Sequence, residues 1–282
     1  MDDRTAKILE VVKSLPAQTL TATMRNPRSS ADRTFVGASL FDYAIAAGLF
    51  ASKMGGGSLA NGYFMATAED GVRAAVALAE VWPNITGKDV LLAYEQDGET
   101  IRNGIRLVIT GDGLGGRSLG GVVNIEAHKV EAVKATTPGR VELRGLLDRP
   151  GVIDAASFAA QEATSITTIA ATGHSGQPIE PRQYAGVRLW SVLEAAGIQL
   201  NPEVNEDFLN KIVIATSADG HAVVIAGGEI EPRFMNGDVI IATQHDGAPL
   251  AEAEGGLRLM VPFDRKPGRW AKNLVSIELR EG

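Results

Sequence analysis

The chain has no cysteine. That absence excludes disulfides, thiolate zinc sites, iron–sulfur clusters and a cysteine nucleophile. Long apolar runs are also missing: none approaches the ~18 residues of a membrane-crossing helix, so direct membrane insertion is not expected. The opening MDDRTAKILEVV lacks a basic start ahead of an apolar signal core. Positive charge is scarce, with 27 Lys and Arg against 34 Asp and Glu and a net charge of −7. Such a surface has no broad field for nucleic-acid phosphates, so an anionic ligand has to meet a local pocket. No glycine-rich loop follows a strand and opens a helix, since GDGLGGRSLGG (111–121) leads into a strand, and there is no G-x-S-x-G elbow. His128, His221 and His245 have no partner at a familiar metal spacing.

What the chain does have is a copy of itself. RTFVGASLFDYAIAAGL (33–49) matches RQYAGVRLWSVLEAAGI (182–198), pairing Arg33 with Arg182, Gly37 with Gly186 and Gly48 with Gly197. The match continues through ATAEDG and ATSADG, then DVLLAYEQDGETI and DVIIATQHDGAPL, and after a small insertion through GIRLVI and GLRLMV. Gly116 and Arg117 finally meet Gly268 and Arg269. Two copies of one domain follow, 1–134 and 140–282, with the boundary in the Thr, Pro and Gly of KATTPGRVEL. The second opens with a strand, a turn and an extended piece in RVELRGLLDRPGVI; the first begins later, at the helical pattern DRTAKILEVVKSL.

Within a copy, GVRLWSVLEAAGI sets Val187, Trp190, Val192, Leu193 and Ala196 at near-helical spacing and ends at Gly197, a natural cap. KIVIATSADGHAVVIAGGEI reads as a hairpin closed at Asp219-Gly220, and Asp246-Gly247 marks another turn. The expected class is α+β, mostly β with mixed sheets and short helices. One stretch stands apart. In GGLRLMVPFDRKPGRWAKNLVSIEL (255–279) an apolar strand gives way to a loop with Arg265, Lys266, Arg269, Trp270 and Lys272, then to another strand.

The helix YAGVRLWSVLEAAGI, the hairpin SADGHAV, the strand turn IIATQHDGAPL and this terminal loop together resemble the molybdopterin-binding domain of the sulfite oxidase family. The resemblance covers nearly the whole chain as two tandem copies, and it implies a small heteroaromatic anionic ligand, a reduced pterin or molybdopterin. Matching motif to residue, Arg269, Trp270 and Lys272, with Arg258 on the preceding strand, are expected to hold it. A guanidinium offers a flat fork of donors, an ammonium a point charge and an indole a stacking face. In the first copy Arg117 survives, but Ser118 and Gly120 replace Trp270 and Lys272, so that site is expected to be degenerate.

Catalytic members of the family hold molybdenum through a cysteine thiolate, at a position that falls near Ala171 or Thr172. Neutral threonine and alanine are poor replacements for a soft sulfur ligand, so no protein-ligated molybdenum is expected. His174 and Ser175, on the vacated loop, are expected to face the pocket. The leading expectation is therefore a non-catalytic pterin-binding protein, an exported sensor or carrier with a membrane signalling partner. The alternatives are a molybdenum cofactor-dependent oxidoreductase without a cysteine ligand and an interaction module with relic pockets. The resemblance implies a periplasmic or secreted location, and the MDDR start reads as following a removed signal or linker.

Overall fold

In the computed structural model the described residues are 3–26, 29–50, 59–86, 88–112, 115–131, 139–161, 163–169, 171–173, 176–234, 237–251 and 256–282. The first half runs α1 (Asp3–Ser14), β1 (Gln18–Asn26), β2 (Ser29–Ser39), α2 (Leu40–Ala46), β3 (Gly62–Ala68), β4 (Arg73–Ala77), α3 (Leu78–Val81), β5 (Val90–Gln96), β6 (Glu99–Thr100), β7 (Arg106–Ile109) and β8 (Val122–Lys129). The second runs β9 (Arg140–Gly145), β10 (Gly151–Asp154), α4 (Ala155–Ala159), β11 (Thr164–Thr167), β12 (Ala171–Thr172), β13 (Pro178–Ile179), β14 (Gln183–Arg188), α5 (Leu189–Ala196), β15 (Lys211–Ser217), β16 (Ala222–Ala226), β17 (Ile240–His245), β18 (Ala248–Pro249), β19 (Arg258–Met260) and β20 (Leu274–Glu281). The architecture is mostly β with few, short helices.

The halves carry corresponding, almost wholly antiparallel sheets. One is β1-β2-β5-β6 with β7 on β5, answered by β11-β14-β17-β18 with β19 on β17. The other is β4-β3-β8, answered by β16-β15-β20, which β9 and β10 extend beyond β20. Even the irregularities recur, with a register shift at Val36/Gly37 and again at Ala185/Gly186. Both glycines are needed because a Cβ would lie 2.1 Å from the Leu92 carbonyl oxygen or 2.0 Å from that of Ile241. The Asp-Gly turns form as read: β15 and β16 close at Asp219-Gly220, where Gly220 alone takes positive φ, and Asp246 and Gly247 both take positive φ, the type I′ arrangement that suits strand twist; Asp97 and Gly98 do the same in the first half.

The helical spacing read from GVRLWSVLEAAGI requires a correction. Gly186–Arg188 lie in β14 and the helix starts only at Leu189, ending at Gly197 with φ 78°. The backbone of Gly186, Val187 and Arg188 pairs with Ala242, Ile241 and Ile240, and this ladder overrides the local periodicity. Among the described residues the first half has no counterpart of β9; there α1 packs beside β8, burying Ile8 and Val12, and the Thr5 hydroxyl donates to the Val122 carbonyl at 3.3 Å.

The near-continuous apolar runs of β15 and β16 reflect burial on both faces. Val213, Ala215, Val223 and Ile225 point into the second half's own core. Ile212, Ile214, Ala222, Val224 and Ala226 point the other way, onto Tyr63, Met65, Ala75 and Ala77 of the first half. Equivalent strands thus meet face to face. The Val224 amide donates to the Ala60 carbonyl at 2.7 Å, and Arg73 reaches the Gly282 carbonyl at 2.9 Å.

Candidate functional site

A cavity of about 630 Å³ opens on the second half. The turn of the β15–β16 hairpin supplies Ser217, Asp219 and His221, and the start of β14 supplies Arg182 and Tyr184. Arg258 comes from β19, and the terminal loop brings Pro267, Gly268, Trp270 and Lys272. Gly173 and Ile179, at the β12–β13 hairpin, complete the rim. Three cations face one carboxylate, so this is a local positive site on an acidic chain.

Its walls are held rigidly. The Arg258 guanidinium lies 5.7 Å from both the Tyr184 and the Trp270 ring centres, and its Nη1 is 3.4 Å from the Tyr184 hydroxyl. Tyr184 stacks on His245 at 4.7 Å and 9°. His245 Nε2 lies 3.3 Å from Arg182 Nη1. The Trp270 indole donates to the Val261 carbonyl at 2.8 Å, which fixes the plane of the ring. His221 Nε2 is 3.1 Å from the Gly268 carbonyl; a carbonyl only accepts, so this nitrogen carries the hydrogen and the hairpin is pinned to the terminal loop.

Of the residues expected from the sequence, Arg258, Trp270 and Lys272 converge on the cavity. Arg269 does not. It is fully buried beneath the loop, giving Nε and Nη2 to Asp264 at 2.8 and 2.6 Å and Nη1 to Glu229 at 2.7 Å. Its place in the ligand set is corrected on that ground: its guanidinium is engaged by two buried carboxylates and has no path to the cavity. His174 and Ser175 lie outside the described residues.

Arg182, Tyr184, Asp219 and His221 were missed as pocket residues. The repeat offered a signal, because Tyr184 and His221 stand where the first half has Phe35 and Val72, just as Trp270 stands at Ser118. These differences in side-chain chemistry between the copies mark the cavity.

Arg117 reproduces the buried arrangement in the first half. It reaches Glu80 at 2.8 and 3.0 Å and Asp112 at 2.7 and 2.6 Å, and it too is fully buried. Glu80 and Glu229 also accept the Ala77 and Ala226 amides, at 3.1 and 2.9 Å. Burial alone would raise Glu80, but Arg117 and then Lys88 outweigh it and hold the carboxyl well below the usual range. In Glu229 burial wins over Arg269, with Glu80 adding to it, and the carboxyl is pushed up to about 7. Burial likewise raises Asp264 against the pull of Arg269.

The cavity's chemistry fits the organic part of a molybdopterin, with cations for phosphate, a fixed guanidinium fork and aromatic faces for a flat ring. It does not supply a sulfur ligand. Ala171 and Thr172 form the strand that ends at the cavity-lining Gly173, and the Thr172 amide donates to the Arg265 carbonyl at 3.0 Å.

Residues 140–282 match the family described as "Oxidoreductase molybdopterin binding domain". No curated protein matches the chain. Among solved structures it is similar to the sulfane dehydrogenase SoxCD from Paracoccus pantotrophus, at 21% identity and a TM-score of 0.42. That match covers 57% of this chain and 43% of the other, so the chain spans less than half of that protein's length. By its second half, this chain belongs to the oxidoreductase molybdopterin-binding domain family.

Proposed function

We propose that the chain binds a molybdopterin-type cofactor in the cavity of its second half and serves an oxidoreductase reaction, with any metal held through the cofactor and not through a cysteine. Family membership favours this reading over the non-catalytic one expected from the sequence. The observation that carries it is the convergence of Arg182, Arg258 and Lys272 with Tyr184 and Trp270 around about 630 Å³ in the matched half. Lys272 provides a point charge for phosphate. Arg258, braced between two rings, presents donors that need little ordering on binding. Trp270 and Tyr184 offer faces to a planar ring. When bound, molybdopterin supplies a dithiolene that carries molybdenum, the centre for oxygen-atom and electron transfer. The protein's part is to orient the cofactor and to set its electrostatic surroundings.

Under the same reading the chain is two tandem copies of one domain, 1–134 and 140–282, of which the first supports the second. The recurring sheet orders, bulges and buried arginines support this. A concave polar cavity speaks against an interaction module with relic pockets, which would present an exposed apolar patch instead.

The test is to produce the chain in a cofactor-competent host and assay pterin by mass spectrometry and molybdenum by elemental analysis. Near-stoichiometric pterin is expected, reduced at least tenfold by Lys272→Ala or Arg258→Ala; no retained pterin overturns the proposal. One observation, the absence of cysteine, keeps a second reading in view. Pterin without molybdenum would establish that reading, a pterin carrier or sensor, and remove the oxidoreductase.

A further inference from the structure

The two buried arginine clusters have the same geometry but not the same charge. In the first half Arg117 and Lys88 face Glu80 and Asp112, with Lys88 Nζ at 2.8 Å from Glu80 and 3.5 Å from Asp112. Two cations balance two carboxylates. In the second half the position equivalent to Lys88 is Gly237, so among the described residues Arg269 alone forms ion pairs with Glu229 and Asp264. One negative charge is left over among groups that are fully buried.

The neighbouring cluster does not cancel the excess. Across the interface the groups that face Glu229 are Glu80, Lys88 and Arg117, and they sum with Asp112 to zero. The joined network therefore holds four carboxylates against three cations. An isolated buried charge is costly, and the cheapest remedy is a proton on a carboxyl group. The upward shift of Glu229 to about 7, with Asp264 also raised, agrees with that charge count.

The unbalanced cluster lies directly under the cavity wall. Arg269 is the last residue of the 3-10 turn Pro267–Arg269, which it anchors from below, while Pro267, Gly268 and Trp270 line the cavity above. The same loop is tied to the first half where the Arg265 amide donates to the Ile85 carbonyl at 2.6 Å.

We infer that Arg269 is a positioning residue whose cluster with Glu229 and Asp264 stores one proton beneath the cofactor loop, and that anion binding in the cavity is coupled to uptake of this proton. The coupling rests on the cavity reading above. Its physical cause is direct: a negative ligand placed over a cluster with surplus negative charge favours the protonated cluster. Ligand affinity then weakens as pH rises above neutrality, by up to about tenfold per pH unit for a single linked proton.

Two measurements on the full chain test this. The first needs no ligand: carbon NMR of chain labelled at Asp and Glu carboxyls, titrated with pH. A buried carboxyl titrating near neutrality is expected, absent in Glu229→Gln and moved down to the ordinary range in Gly237→Lys or Asp264→Asn, each of which balances the cluster. At Gly237 a new Cβ would lie 3.2 Å from Phe263 Cδ1, so that ring has to give slightly, and Asp264→Asn covers the case in which Gly237→Lys does not fold. The second is calorimetry with neopterin phosphate in buffers of different ionisation heat. Fractional proton uptake is expected in the parent chain and none in Gly237→Lys, which still binds. No carboxyl titrating near neutrality overturns the stored proton. Titration with ligand binding but no uptake overturns the coupling. Titration without any binding leaves the stored proton standing and overturns the coupling together with the cavity reading.

Discussion

At the scale of single residues, Arg269 and Lys272 are three positions apart in one basic loop, yet they have opposite fates. The sequence treats them alike because both are cations beside a tryptophan. What separates them is Asp264 and Glu229, the latter 40 residues away in the chain, closing over one guanidinium and not over the neighbouring ammonium. Arg269→Met is expected to cost about 3–5 kcal/mol in urea unfolding, since it strands two buried carboxylates. Arg117→Met should cost a similar amount, since it strands Glu80 and Asp112 in the same way. Lys272→Ala, by contrast, should leave stability within about 0.5 kcal/mol while lowering pterin affinity. Equal losses from Arg269→Met and Lys272→Ala would contradict this division. Tyr184 and His221 escaped notice for a related reason: nothing local distinguishes a cavity-facing side chain in a strand or hairpin from a surface one.

At the scale of elements, local chemistry was legible and pairing was not. The Asp-Gly turns, α1 and the cap at Gly197 follow from short-range rules, and each forms where the residues indicate. The start of α5 did not, because β14 takes its first three residues into a ladder with β17. The bulge at Gly186 depends on that ladder. Gly186→Ala should lower stability by about 3 kcal/mol, as should Gly37→Ala, because backbone on the facing strand cannot move aside as a flexible side chain would. Chemical denaturation of the two variants checks this, and a change under about 0.5 kcal/mol in either would show that the strands part more easily than their register suggests.

At the scale of the whole molecule, the halves meet through equivalent strands, and the apolar contact of Met65 with Ile214 and its neighbours is continuous with the buried charges. Ile214→Ala is expected to cost about 2–5 kcal/mol, measured by thermal or urea unfolding. The charges make stability depend on pH in two directions. Glu80 is depressed in the fold, so its contribution is present above its ordinary 4.5 and lost as pH falls below it. Glu229 is raised, so its contribution is complete below 4.5 and disappears as pH rises to about 7. Stability should therefore peak in mild acid, and Tm should fall between about pH 4.5 and pH 7 by an amount equivalent to no more than ~3 kcal/mol. Asp264→Asn should flatten that fall; an unchanged slope would place its origin elsewhere.

The sequence by itself determined the family, the turns and the impossibility of a cysteine–metal bond. All of these are carried by residue identity and short-range geometry, which the unfolded chain already possesses. Only the tertiary structure decided which cations of the terminal loop face the cavity, that Tyr184 and His221 join them, and that Lys88 leaves its counterpart cluster one charge short. Those outcomes depend on groups far apart in the chain being brought into a dry interior, where every charge needs a partner and each partner removes a side chain from the surface.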